Sequence, residues 1–73
     1  MGMKITVKVV FNSSKDNWEG FGNNRYLLKL SYPEDSGAER VVKEYISRQI
    51  GVPASRIAFQ GKDARNNWMF EVL

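Results

Sequence analysis

Residues 4–11 alternate. Ile5, Val7, Val9 and Phe11 fall on one side of an extended chain, and Thr6, Lys8 and Val10 fall on the other. That is the pattern of a half-buried strand. Residues 12–24 are rich in Asn, Ser and Gly and read as a long loop. A second strand is predicted over 25–32, with Leu28 and Leu30 inward and Lys29 and Ser31 outward. Residues 33–37 form a turn into a helix. Ser36 is placed to cap the helix, with Glu39 three positions on completing a capping box. Ala38, Val41, Val42, Tyr45, Ile46 and Ile50 recur at helical spacing as one apolar stripe, and Gly51 stands where a helix-ending glycine belongs. Residues 52–56 read as a single helical turn with Pro53 at its first position. A short third strand is predicted over 57–60, a polar turn over 61–67, and a fourth strand over 68–73 with Trp68, Phe70 and Val72 on one face.

The pattern predicts an α+β fold: a two-layer ββαββ domain with one helix packed on a small mixed four-stranded sheet. The first two strands are expected to pair as an antiparallel hairpin. The helix is expected to cross over to a third strand running parallel to the second. The turn 33–37, the helix N-terminus and the turn 61–67 then share one end. The loop 12–24 and residues 51–56 take the other. Thr6, Lys8, Lys29, Gln60 and Glu71 are expected on the uncovered sheet face.

Composition narrows the function classes. The chain has 73 residues, enough for one domain covering 1–73 with a modest core. It has no cysteine, so neither a disulfide framework nor a Cys-ligated zinc site is available. It has no histidine, which removes the commonest general base and metal ligand. No apolar run approaches the roughly 18 residues of a membrane span. The N-terminal stretch, broken by lysines, does not read as a signal peptide, so a cytoplasmic protein is expected. Eleven Lys/Arg against eight Asp/Glu leave a net charge of +3. That balance permits attraction to a polyanion without the dense basic patch of a dedicated binder.

Pro33-x-Asp35-x-x-Ala38, then Gly51-Val52-Pro53-Ala54-Ser55-Arg56 after the helix, then Gly61-x-x-x-Arg65 in the last turn resemble the YggU-like family of small proteins, a domain of unknown function. The resemblance runs over nearly the whole chain in order and spacing. Ser36 stands where the family usually has Gly, Glu39 where it has Asn, and Asn66 and Asn67 where Lys is common. The resemblance implies an α+β fold with one helix on a small sheet. It implies no established activity.

Four places carry candidate chemistry. At the shared end, a helix N-terminus favours anions, and Lys62, Arg65, Asn66 and Asn67 supply phosphate donors. The plainer reading there is architectural, with Asp35 pairing with Arg65 to tie two turns together. In the loop 12–24, Trp18 and Phe21 either stack on a partner or fold back over the core. On the uncovered face, Lys8 and Lys29 form a second basic strip that Lys4, Thr6, Ser31 and Gln60 extend. Val10, Leu27 and Met69 stand there in place of the stacking aromatics of sheet-based RNA readers. The carboxylates Asp16, Glu19, Asp35 and Asp63 match no metal-loop spacing.

The expectation is a non-catalytic binding module with neither cofactor nor metal and no membrane partner. Its leading partner is nucleic acid, bound weakly as a ribonucleoprotein accessory would bind it. The alternative is a protein partner or self-association through a strand edge or the exposed face.

Overall fold

The computed structural model describes residues 2–73. Five strands form one mixed sheet: β1 (Met3–Val10), β2 (Asn17–Gly22), β3 (Arg25–Lys29), β4 (Ile57–Lys62) and β5 (Asn67–Val72), in the order β2-β3-β1-β5-β4. The helix α1 (Ala38–Ile50) packs on one face, and a 3₁₀ turn at Ala54–Arg56 leads into β4. The architecture is α+β with one helix on a mixed sheet, as expected. The strand count and the ββαββ order are not.

The extra strand lies inside the stretch expected to be a loop. Trp18 faces the core and stacks on Tyr26 of β3 with ring centroids 4.8 Å apart, while Tyr45 of α1 stands 6.3 Å from Trp18. Asn23 and Asn24, at φ 52° and 58°, make the two-residue turn into β3. Two left-handed residues in succession are what a tight type I′ hairpin requires, and Asn tolerates that region better than most residues. Aromatic packing and turn chemistry here outweigh the poor strand propensity of Gly20 and Gly22.

This insertion also overturns the pairing expected of the first two predicted strands. The chain reverses twice between β1 and β3, so the two run parallel, with Val7 opposite Tyr26 and Val9 opposite Leu28. β3 and β4 run in the same direction, but β1 and β5 lie between them. The helix therefore carries the chain across the sheet to its far edge.

The inward alternation holds. Ile5, Val7, Val9, Leu28, Trp68 and Phe70 are buried, and Ala38, Val42 and Ile46 of α1 cover them. Tyr45 and Ile50 are half-buried, whereas Val41 is 38% exposed, so the apolar stripe is narrower than the spacing predicts. Val41 lies one residue, about 100° of helix rotation, from Val42 and so at the edge of the buried face.

The helix start is displaced by one position. Gly37 is the cap residue, and Asp35 Oδ1 accepts its N–H at 2.9 Å. The capping box of Ser36 and Glu39 does not form, because Asp35 folds its own carboxylate onto the backbone two residues on. Glu39 instead pairs with Lys43 one turn along at 3.4 Å. Gly51 ends the helix at φ 74°, as expected. Pro53 sits just before the 3₁₀ turn rather than at its first position.

Residues 12–16 lie at the same end as the helix N-terminus, not opposite it. Asn12 N–H donates to the Tyr32 carbonyl at 2.9 Å, and Ser31 donates through both N (2.8 Å) and Oγ (3.0 Å) to Asp16 Oδ1.

Candidate functional site

The shared end is real. The segment before α1 and the turn between β4 and β5 meet there, but through different residues from those expected. Glu34 forms an ion pair with Lys62 and accepts from Asn66 Nδ2 at 3.5 Å. Asp35 is occupied with the helix start, and no Asp35–Arg65 pair forms among the described residues. The hydrogen bond from Lys62 holds the Glu34 carboxyl below its ordinary range. Lys62 also stands 5.1 Å from the centroid of the Trp68 ring, a cation–π contact that fixes it over the core.

Asp63 organises the neighbouring turn. Its Oδ1 accepts from Arg65 N at 2.8 Å and Asn67 N at 3.0 Å, and its Oδ2 accepts from Asn67 Nδ2 at 3.0 Å. The Asn67 side chain first, then the two backbone N–H groups, hold the Asp63 carboxyl below its ordinary range. Of the four expected phosphate donors, Lys62, Asn66 and Asn67 are thus engaged within the molecule. Arg65 is exposed and joins no ion pair or side-chain hydrogen bond among the described residues.

The motif positions of the resemblance also have local roles. Asp35 holds the helix start, Ala38 is buried as its first residue, and Gly61, at φ 128°, carries a bulge in β4. Such a φ is close to glycine-only territory. Pro33 lies exposed in the turn.

The uncovered sheet face is different. Strand alternation places Lys4, Thr6, Lys8 and Val10 of β1, Arg25, Leu27 and Lys29 of β3, and Asn67, Met69 and Glu71 of β5 away from the helix. Across the strands Arg25 pairs with Thr6, Lys8 lies between Leu27 and Asn67, and Lys29 pairs with Val10. None of Lys4, Lys8, Arg25 or Lys29 takes part in an ion pair among the described residues. Glu71, opposite Lys4, is held by Gln60 Nε2 at 2.7 Å, and Glu19 accepts from Asn17 at 3.1 Å. Arg25 is the cation the sequence reading missed, although its place two residues before Leu27 puts it on the same face.

Trp18 folds back, half-buried, as the plainer reading held, while Phe21 is 62% exposed. Asp16, Asp35 and Asp63 serve backbone and turn hydrogen bonds. Among the described residues, no group of three side chains is placed to hold a metal ion and no helix is long and apolar enough to cross a membrane. Comparison with family models, with curated proteins and with solved structures gives no match for the chain.

Proposed function

We propose that the domain is a non-catalytic binding module that receives the sugar–phosphate backbone of a nucleic acid on the open face of its sheet. The observation that carries this reading is the set of four cations, Lys4, Lys8, Arg25 and Lys29, on two adjacent strands without ion-pair partners among the described residues. No aromatic side chain lies at the outward positions of β1, β3 or β5. The strands therefore supply charge for phosphates rather than a stacking platform for bases, and sequence-tolerant binding follows.

Fluorescence anisotropy of a labelled single-stranded RNA, titrated at increasing salt, tests this. Three to four contacts predict a slope of log K on log salt of about −2 to −3, since each contact on a single strand contributes about −0.7. No binding at about 50 mM salt, where phosphate contacts are strong, overturns it.

A second reading is a protein partner on the same face, favoured by Leu27 and Met69 at its centre. Binding by a captured protein that is insensitive to salt, with no RNA binding, favours that reading.

A further inference from the structure

On the helix side of the sheet, a groove of about 550 Å³ runs between α1 and the segment 30–35. Its floor and walls are apolar: Phe11, Leu30, Tyr32, Val41 and Tyr45. Tyr32 is 48% exposed and Val41 38% exposed, so the groove presents its apolar surface to solvent. Its charged lining is Asp16, Asp35 and Glu44 against Arg48, and Glu44 is paired with Arg40 at 3.7 Å, so Asp16 and Asp35 are the carboxylates left to a ligand. The local sign is thus negative in a chain of net charge +3.

Two of the carboxylates are held in place before any ligand arrives. Asp16 Oδ1 is fixed by Ser31 N and Oγ, and Asp35 Oδ1 by Gly37 N. Oδ2 of each has no hydrogen-bond partner among the described residues. An acceptor ordered in advance loses little freedom on binding. Tyr32 and Tyr45 line the same groove and offer aromatic surface beside the carboxylates. Isolated exposed ion pairs contribute little, so the apolar floor and the fixed carboxylates must act together.

Length selects the occupant. The helical lining runs from Ala38 to Arg48, a rise of about 15 Å along the helix axis. A single amine does not span that distance, whereas four to five extended residues do, at about 3.3–3.6 Å each.

We infer that this groove binds an extended basic peptide segment of a partner protein. Its Lys or Arg side chains lie at Asp16 and Asp35, its apolar side chain lies over Val41 and Tyr45, and an acidic group meets Arg48. The site is on the opposite side of the sheet from the cationic face and does not rest on nucleic-acid binding.

The test is an amide NMR titration with the blocked peptide Arg-Leu-Arg-Leu-Asp, with its Glu-Leu-Glu-Leu-Lys counterpart and with arginine amide. Shifts confined to residues 16, 30–37 and 38–48, produced by the basic peptide alone, are expected. Asp16→Asn combined with Asp35→Asn keeps a side-chain oxygen to accept from Ser31 N–H and Gly37 N–H and removes the charge. It weakens binding about tenfold or more, the loss of charge-assisted hydrogen bonds. Val41→Arg blocks the floor and abolishes binding while the amide spectrum stays dispersed. Equal binding of the acidic peptide overturns the inference. So does equal affinity for arginine amide, absence of shifts at about 1 mM peptide (an affinity any specific groove should exceed), or indifference to Val41→Arg in a folded variant.

Discussion

The turn-built corner at the start of α1 and the open face of the sheet both carry charged side chains, and they use them in opposite ways. At the corner, Glu34 meets Lys62, and Asp63 gathers Arg65 N and both donors of Asn67. Turns bend the chain back on itself, so polar groups find one another and little is left over for a ligand. On the open face, alternation spaces successive outward side chains about 7 Å apart along a strand. Lys8 has Leu27 and Asn67 as its cross-strand neighbours and finds no carboxylate. Charge density alone therefore misleads. What distinguishes a binding surface is charge that the fold leaves unanswered.

The largest effect should come from reversing that surplus. Lys8→Glu combined with Arg25→Glu removes RNA binding at moderate salt. The corresponding Ala pair flattens the salt slope by about 1.4, two single-strand contacts' worth. Urea unfolding of the Ala pair should stay within about 0.5 kcal/mol of the parent, as for surface changes away from special features. Lys62→Ala, at the corner, should leave the slope intact. A loss there as large as at Lys8 would erase the distinction.

A smaller effect separates two adjacent residues in the corner. Asp35→Ala removes the acceptor from Gly37 N–H and should cost about 1 kcal/mol in urea unfolding, the usual size of a lost cap. Ser36→Ala should change stability by less than about 0.5 kcal/mol, because no capping bond uses it. Equal costs would restore the capping box that the sequence suggests.

The smallest effect is a pH dependence. Glu34 and Asp63 are both held below their ordinary values of 4.5 and 3.8. The folded state therefore binds fewer protons than the unfolded state in this range, and stability falls as pH falls. Their contribution is complete above the ordinary values and is lost as pH drops through the lowered ones. Thermal melts between about pH 5 and pH 2, bracketing the carboxylate range, should show a shallower decline for Glu34→Gln with Asp63→Asn than for the parent. An unchanged decline would assign the acid sensitivity to other groups.

These contrasts mark what periodicity reveals and what it does not. The alternation of Ile5, Val7 and Val9 placed β1 correctly, because a sheet with one buried face imposes period two. Ala38, Val42 and Ile46 placed the helix for the same reason at period 3.6. β2 was missed because Gly20 and Gly22 dilute its signal, and its stabilising contacts with Tyr26 and Tyr45 come from distant positions. The Asn23–Asn24 pair was the legible clue, since two residues tolerant of positive φ between aromatic segments mark a hairpin. Once β2 is missed, the direction of pairing between β1 and β3 inverts. In the corner, Glu34 rather than Asp35 crosses to the second turn, and Asp35 rather than Ser36 holds the helix. Such one-residue choices depend on turn geometry, which leaves no periodic trace.

The position of β1 also sets the order of assembly. β2 with β3 and β4 with β5 are local hairpins, but β1 lies between them and draws its partners from both. Loop closure must precede those distant contacts, so the docking of β1 against β5 is expected to be late, which φ-values at Ile5 and Val7 near zero would show. It is the first of these strands to be translated and the last to have both edges covered. Until β5 exists, the edge of β1 that β5 pairs with is open, an unpaired strand edge of the kind that seeds aggregation. Lys4 and Lys8 alternate with Ile5, Val7 and Val9 along that strand and put charge on its opposite face. In the unfinished chain, before any ligand is relevant, they act as gatekeepers against intermolecular strand pairing.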